Sequence, residues 1–463
     1  MKLFLLTILI LSSFLLPAQT TKITGTAPGA EGRKIEVITA LDLLTHLEKT
    51  LGTATVDSTG AFALSFSLDR TLAVSLAIDF HRGELFLEPG KSYNLSISTL
   101  NYNEVQELNP FLESQSLEIG ISDMRPNDLN AVIQTFNKEY NVFVLEHFND
   151  LYRDKDKARL DTFRVRMARK FKEIKTSYFL DYVKYKTASL EQVANIMGKS
   201  PMVKKYFSDA PILYDNVEYM DFFGEFFLGY ITTTSRPLKF LNYNSMLNGP
   251  GSYAALMKAL GADTLLRKPQ FRELVLLREL MEMYDDPQYK KESIRNLLIA
   301  VSKESKFQEN RLIVEDILKL VTRLKPGTEA PAFTLVDRNR KKVSLADFRG
   351  KPVLVGFWTT YCPECLSEME LLSPIVDKYR DRMNFVTISA DKEFMKMNFF
   401  LNLKKNFNWT FLHLGNELDL LREYDVKSFP LFILVDSQGR IVSYPADLPG
   451  SGLESSIEKL LNP

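Results

Sequence analysis

The first patterned region of the chain, from about residue 19 to residue 105, alternates apolar and polar positions with a period of two. The alternation is clear in Phe62–Phe66 and in Tyr93–Ile97, and the polar turn Asp57–Gly60 precedes the first of these runs. Alternation interrupted by turn residues is typical of half-buried β-strands. We therefore predict a small antiparallel β domain over residues 19–105.

The next region, residues 106–324, follows a helical period. One helical face is formed by positions with the i, i+3, i+4, i+7 spacing: Leu129, Val132, Ile133 and Phe136. The pattern predicts a single long amphipathic helix over Asp156–Tyr185, and the aromatic-rich stretch Tyr219–Tyr230 is interpreted as helix core. This region is expected to be all-α.

The last region, residues 325–463, begins with a linker, Lys325–Pro331, whose prolines and glycine end the preceding helix. Val353–Trp358 is continuously apolar, as a central strand buried on both faces is. A helical pattern then runs from Cys362 toward Tyr379. The expected fold class is therefore multidomain α+β: an N-terminal antiparallel β domain, a central all-α region and a C-terminal α/β domain.

The first 18 residues have the composition of an export signal. Lys2 supplies a positive start, Leu3–Leu16 is almost wholly apolar, and Ala18 is a small residue suited to cleavage. The apolar run is shorter than the ~20 residues that cross a bilayer, although an uncleaved anchor helix or a buried strand stays open as an alternative. We expect a signal peptide at residues 1–18 and a periplasmic or otherwise extracytoplasmic protein with no stable membrane span after cleavage.

The charge balance limits the classes of partner. Lys plus Arg and Asp plus Glu both number 58, so the formal net charge is zero. This balance argues against nucleic acid as a partner, since nucleic-acid-binding proteins carry a marked basic excess.

The chain has two cysteines, Cys362 and Cys365. An exported protein that needed disulfides for stability would carry several pairs, and a bond closing so short a loop contributes little stability. A zinc site needs about four ligands. No ligand spacing is found among the histidines His46, His81, His147 and His413. We therefore predict no metal site and favour a redox-active pair over an inert structural one.

The position of the pair after a buried strand, at the start of a helix, gives the first sulfur its reactivity. Free backbone N–H groups and the helix dipole stabilise a thiolate on Cys362, and Pro363 suits the first helical position. Cys365 lies one turn deeper, within disulfide reach, so we expect Cys362 to attack a partner disulfide and Cys365 to resolve the mixed disulfide. Glu364 either tunes the pair or is a solvated surface residue, and both alternatives stay open.

Several segments of the last region carry a resemblance to a known family: Phe333–Leu335, Phe348–Pro352, Phe357–Cys365, Tyr424–Val426 and Pro430–Asp436. With these motifs, residues 327–461 resemble the TlpA/ResA-like thiol–disulfide oxidoreductases, which are exported proteins of thioredoxin-like fold related to the AhpC/TSA group. The β region resembles, weakly, the small β domain that precedes thioredoxin domains in Bacteroidetes-type exported proteins.

The resemblance implies a thioredoxin-like domain at residues 325–463, with no cofactor besides the redox-active Cys362–Cys365 disulfide. It also implies a cis peptide bond before Pro430, in a loop that faces the cysteines and helps to hold a partner chain in extended form. Trp358, Tyr361 and Phe429 are the predicted substrate-binding residues beside these motifs. Gly356 departs from the pattern, because thioredoxins keep a buried carboxylate there to assist the resolving cysteine, so the proton-transfer group is not identified.

The leading hypothesis is an exported oxidoreductase that reduces or exchanges disulfides of extracytoplasmic proteins and is recharged by an upstream electron donor. One alternative is a peroxiredoxin-like peroxidase, for which Thr359 has the required spacing from Cys362, although Val355 stands where the upstream proline is needed. Another is a non-enzymatic binding or assembly protein with an accessory thioredoxin domain. The β or helical region could also mediate a homodimer.

Overall fold

The computed structural model describes residues 19–79, 81–98, 116–208, 210–238, 242–248, 253–415 and 417–462. The predicted signal peptide at 1–18 and the predicted boundary at 105–106 lie outside the described residues. The described chain divides into two compact units between residues 316 and 317. Within the described ranges, no helix combines the length and the apolar character that a membrane span requires.

The first unit begins with two four-stranded sheets of order β4-β1-β7-β8 and β3-β2-β5-β6. The strands are β1 (Gln19–Thr26), β2 (Lys34–Ala40), β3 (Glu48–Thr55), β4 (Ala61–Leu68), β5 (Leu72–Ile78), β6 (His81–Leu87), β7 (Ser92–Ile97) and β8 (Ile119–Ile121). In β1 every second residue from Thr21 to Gly25 is buried, so the period-two pattern reflects real burial.

Two details of these sheets differ from the sequence prediction. The pair β1–β7 is parallel, while the other described pairs are antiparallel. Strand β8 extends its sheet from beyond residue 105, inside the segment predicted to be helical, by pairing Ile119 and Ile121 with Ile97 and Leu95. Three residues are too few for an alternating pattern to stand out, so the sequence carried no signal for this strand.

Helices form the rest of the first unit. They are α1 (Leu129–Glu146), α2 (Phe148–Tyr152), α3 (Lys157–Lys170), α4 (Ser177–Val193), α5 (Lys199–Val203), α6 (Val217–Phe226), α7 (Tyr243–Asn248), α8 (Tyr253–Leu260), α9 (Pro269–Asp285), α10 (Lys291–Glu304) and α11 (Gln308–Thr322), whose last residues, from 317 onward, belong to the second unit. The predicted face of α1 is buried in full. The interpretation of Tyr219–Tyr230 as core is also confirmed, because Tyr219, Phe222, Phe223, Phe226 and Phe227 are each at most 1% exposed.

The prediction of one helix over Asp156–Tyr185 is wrong. The structure has two helices, α3 and α4, joined by a turn that contains Phe171 and Ile174. Both side chains are buried in the aromatic core beside Phe136 and Phe179, and this burial stabilises the turn. The missed signal was the pair Thr176–Ser177, a helix-start signature placed at the beginning of α4.

One buried carboxylate of the helical part gives a pH prediction. Glu279 on α9 is 1% exposed and accepts the N–H of Ile231 at 2.6 Å, and burial raises the pKa of Glu279 to about 7. Between pH 4.5 and about 7 the folded protein holds a proton that the unfolded chain has lost, so stability falls as the pH rises through this window.

Glu279→Gln is therefore expected to flatten this part of the pH dependence and to melt at a higher temperature than the parent at pH 8. Thermal denaturation at pH 5 and pH 8 measures the effect. The exposed Glu315 on α11, as Glu315→Gln, is the matched control and should keep the parental pH dependence. An equal response of the two variants would contradict the assignment.

The second unit is built on a seven-stranded sheet of order β10-β9-β13-β12-β11-β14-β15. Its strands are β9 (Thr334–Asp337), β10 (Lys342–Ser344), β11 (Val353–Trp358), β12 (Asn384–Ser389), β13 (Thr410–His413), β14 (Leu431–Val435) and β15 (Ile441–Ser443). Its helices are α12 (Pro363–Tyr379), α13 (Phe394–Leu403), α14 (Asp419–Glu423) and α15 (Leu453–Leu461). The strand β11 is buried at all six positions, parallel to β12 and antiparallel to β14, and it leads directly to the two cysteines.

Candidate active site

The two cysteines form a disulfide at the start of α12. Their Cα atoms are 5.2 Å apart, within the usual range for such a bond. Cys362 is the N-cap of the helix and Pro363 is its first residue. The backbone N–H of Cys365 donates to the Cys362 sulfur at 3.1 Å. The first sulfur therefore lies where a helix N-terminus stabilises negative charge.

The two sulfurs differ in access. Cys362 is partly exposed, whereas Cys365 is 0% exposed in a cluster with Trp358, Met369 and Met397. A partner from solution can therefore approach Cys362, while Cys365 can react only with the neighbouring sulfur. This asymmetry fits the predicted roles, attack by Cys362 and resolution by Cys365, and those roles stay a prediction.

The loop before β14 lies against the first sulfur. The peptide bond between Phe429 and Pro430 is cis, as the resemblance implies. The carbonyl oxygen of Phe429 is 3.8 Å from the Cys362 sulfur, and both loop residues are partly exposed. A chain held by this loop would pass next to Cys362. The part that Phe429 and Pro430 play in the reaction stays a prediction.

The other predicted site residues take different positions. Tyr361 is 45% exposed beside Cys362, and Glu364 is exposed on the first turn of α12. Trp358 is only 1% exposed and packs against Phe411 beneath the disulfide. Its position fits support of the site from below, and direct contact with a partner would require it to become exposed.

Comparison with known proteins assigns this arrangement to a family. Residues 350–441 match a family described as thioredoxin-like. The thiol–disulfide oxidoreductase ResA of Bacillus thuringiensis subsp. konkukian is 27% identical over 137 residues, covering 29% of this chain and 76% of ResA. The thioredoxin-like protein YneN of Bacillus subtilis is 31% identical over 121 residues, covering 26% of this chain and 69% of YneN. The chain belongs to the thioredoxin-like thiol–disulfide oxidoreductases.

The family assignment rests on the C-terminal part of this oxidoreductase and confirms the resemblance seen in its sequence. A solved structure, the thioredoxin domain of a thiol–disulfide oxidoreductase from Bacteroides vulgatus, is 33% identical. The match covers 30% of this chain and 99% of the chain of the solved structure, and its TM-score is 0.28.

The position of Gly356 explains why this oxidoreductase lacks the expected buried carboxylate. Gly356 pairs with Phe432 across β11 and β14, and a Cβ added at Gly356 would lie 2.6 Å from a ring carbon of Phe432. The aromatic ring fills the space that a larger side chain would need. Proton transfer at Cys365 must therefore use another group or water.

A buried carboxylate that sequence reasoning missed fixes the loop before Cys362. Asp391 is 2% exposed and accepts from the N–H of Thr360 at 3.1 Å and from the Thr360 hydroxyl at 2.7 Å. It also accepts from the Ser389 hydroxyl at 2.6 Å. Thr360 is two residues before Cys362, so this network sets the path of the chain into the site. The order Ser389-Ala390-Asp391 after an apolar strand was the available signal.

His413 closes the same network. Its Nε2 lies 2.7 Å from the carbonyl oxygen of Asp391, and because a carbonyl oxygen only accepts, Nε2 carries the proton and donates. Burial lowers the pKa of His413, which keeps the ring neutral at physiological pH. His413 therefore supports the backbone at Asp391.

Proposed function

We propose that this oxidoreductase is exported and reduces or exchanges disulfides of extracytoplasmic proteins through Cys362 and Cys365. The observation that carries the proposal is the arrangement of the pair: one sulfur partly exposed at a helix N-terminus, the other 0% exposed directly behind it. No cofactor beyond this pair takes part.

The proposed reaction starts from the reduced pair. The Cys362 thiolate attacks one sulfur of a partner disulfide, forming a mixed disulfide, and the other partner sulfur leaves as a thiolate that takes up a proton. Cys365 loses its proton and attacks the Cys362 sulfur. The Cys362–Cys365 disulfide then forms, and the partner departs as a dithiol that has gained two electrons. An upstream dithiol donor returns the pair to its reduced state by the reverse exchange.

The surface beside Cys362 supports a protein as the partner. Tyr361, Phe429 and Pro430 are all at least partly exposed around the sulfur, and together they offer apolar contact and a backbone carbonyl. An extended chain can use both, through side-chain packing and through a main-chain hydrogen bond. Glu364 adds a negative charge at the same opening.

Export is proposed from the sequence of the first 18 residues. Lys2 followed by the apolar run Leu3–Leu16 has the form of a signal peptide. Fusion of residues 1–25 to a reporter enzyme that is active only after export should give activity, and Leu9→Arg in the fusion should remove it. Reporter activity that is unchanged by Leu9→Arg, or absent in both fusions, would refute export through this segment.

The exchange activity itself is tested with the chain from residue 19 onward, insulin as the disulfide substrate and dithiothreitol as the donor. We expect precipitation of reduced insulin chains to be faster than with dithiothreitol alone. A parallel assay with hydrogen peroxide should show no thiol-dependent peroxide consumption above the blank. Peroxide consumption without insulin reduction would favour the peroxidase alternative.

A further inference from the structure

The helical part of the first unit contains a cleft of about 600 Å³ between α3, α4 and the π-helical turn Lys204–Ser208. Its floor is formed by apolar side chains that are each less than 10% exposed: Met167, Phe171, Ile174 and Phe179. Leu180, at 48% exposure, continues this apolar surface to the opening. The volume lies within the range of small-molecule sites, which are apolar with few polar groups.

One end of the cleft is formed by an ionic network around the buried carboxylate of Glu191. Arg164 donates to a carboxylate oxygen of Glu191 at 3.0 Å and to the hydroxyl of Tyr206 at 2.9 Å. Lys205 donates to the same Glu191 oxygen at 3.0 Å, and Glu191 is 0% exposed. Arg164 also pairs with Asp161 at 3.5 Å, and Lys157 pairs with the same carboxylate at 2.5 Å. Three cations therefore share two carboxylates, which leaves this end of the cleft with net positive charge.

Three lysines add to that charge. Lys175 donates to the carbonyl oxygen of Lys172 at 2.8 Å, and Lys184 donates to the hydroxyl of Tyr185 at 3.2 Å. Lys184 also interacts with the charge of Asp181. Among the residues that the structure describes, neither Lys175 nor Lys184 has a salt bridge within 4 Å, and Lys172 pairs only with the exposed Glu173 at 3.8 Å.

The charge of the lining is unlike that of the chain as a whole. Five cationic side chains line the cleft, namely Arg164, Lys172, Lys175, Lys184 and Lys205, and Asp161 is the one carboxylate among the lining residues. The whole chain balances 58 basic against 58 acidic residues. An apolar floor with an excess of positive charge is complementary to a molecule that has an aliphatic body and a single negative head group.

We propose that this cleft binds a long-chain carboxylate, with its aliphatic chain against Met167, Ile174 and Leu180 and its head group at the lysines. A cleft of about 600 Å³ fits one small molecule, whereas a protein partner would bury ~800 Å² of its own surface over a wider face. The site is independent of the disulfide chemistry, and its ligand does not take part in electron transfer.

The test titrates oleate, below its micelle-forming concentration, into the chain from residue 19 onward and follows the heat of binding. One oleate per chain is expected. Oleyl alcohol, which has the same aliphatic chain without the charge, should bind to the parent protein at least about tenfold more weakly than oleate. The variant Lys172→Glu/Lys175→Glu should bind oleate at least about tenfold more weakly than the parent does. The control variant Lys303→Glu/Lys306→Glu changes two exposed lysines outside the cleft and should bind oleate like the parent.

Leu180→Asp tests the apolar part of the site at a half-exposed position, and it should also weaken oleate binding by about tenfold or more. Equal melting temperatures of variants and parent, with unchanged insulin reduction, assign any loss to the cleft. The proposal is overturned if oleate does not bind, if oleyl alcohol binds as well as oleate, or if the cleft variants bind oleate like the control pair.

Discussion

Cys365→Ser is expected to convert this oxidoreductase into a protein that captures its partners covalently. Attack by Cys362 still forms the mixed disulfide, but no second thiol is left behind it to release the partner. Incubation of the reduced variant with a disulfide-containing protein, followed by non-reducing electrophoresis, should give a band at the summed mass. Dithiothreitol should remove that band.

The matched variant Cys362→Ser distinguishes the roles of the two sulfurs. Because Cys365 is 0% exposed, Cys362→Ser should give no covalent complex and an insulin reduction rate equal to the blank. The wild-type protein should form the complex only transiently. Capture by Cys362→Ser, or equal capture by the two variants, would contradict the assignment of attack to Cys362 and resolution to Cys365.

Asp391→Ala is expected to reduce both stability and exchange rate. Loss of the carboxylate leaves the Thr360 N–H and the Thr360 and Ser389 hydroxyls without their buried acceptor, which should lower the free energy of unfolding by about 2–4 kcal/mol. The freed loop also carries Cys362 away from the position set by the helix. A displacement of this kind lowers rates by about ten- to a hundredfold.

Asp391 acts through the loop, so it is a positioning residue and its test needs a measurement that stability alone would not change. The rate of reaction of reduced Cys362 with a small disulfide, measured well below the melting temperature, serves this purpose. Asp391→Asn, which retains one acceptor oxygen, should recover part of the rate. The control variant Asp381→Ala, at an exposed position, should leave both the free energy of unfolding and the reaction rate unchanged. A parental reaction rate in Asp391→Ala would refute the positioning role of Asp391.

The strands and helices with strong periodicity could be predicted from the sequence. The buried strand Val353–Trp358 and the face of α1 were predictable because a continuous apolar run and a sustained helical spacing each reflect a buried surface. The break between α3 and α4 was missed because no Gly or Pro marks it, and its stability comes from tertiary contacts of Phe171 and Ile174. The parallel pairing of β1 with β7 depends on contacts distant in sequence, which local patterns do not encode.

The site residues likewise divide into those predictable from local sequence patterns and those that depend on contacts distant in sequence. Cys362 and Cys365 were predictable, because their spacing and their place between a strand and a helix have a local physical meaning. Pro430 could be linked to them only through the family resemblance, since it is far away in sequence. Asp391 and Phe432 were missed because their roles depend on which residues they meet across the sheet. Trp358 was predicted both to end a buried strand and to bind substrate; its burial is confirmed, and its contact with a substrate stays a prediction.

The central claim is that Cys362 is a reactive, accessible thiol and Cys365 a buried one. Brief alkylation of the fully reduced protein with iodoacetamide at pH 7 tests this claim most directly, with mass spectrometry of the peptides that contain Cys362 and Cys365. An ordinary thiol, with a pKa near 8.5, is mostly protonated at this pH. We predict rapid labelling of Cys362 alone, with Cys365 labelled only after unfolding. Equal labelling of the two cysteines, faster labelling of Cys365, or a Cys362 rate no higher than in the unfolded chain would contradict the account.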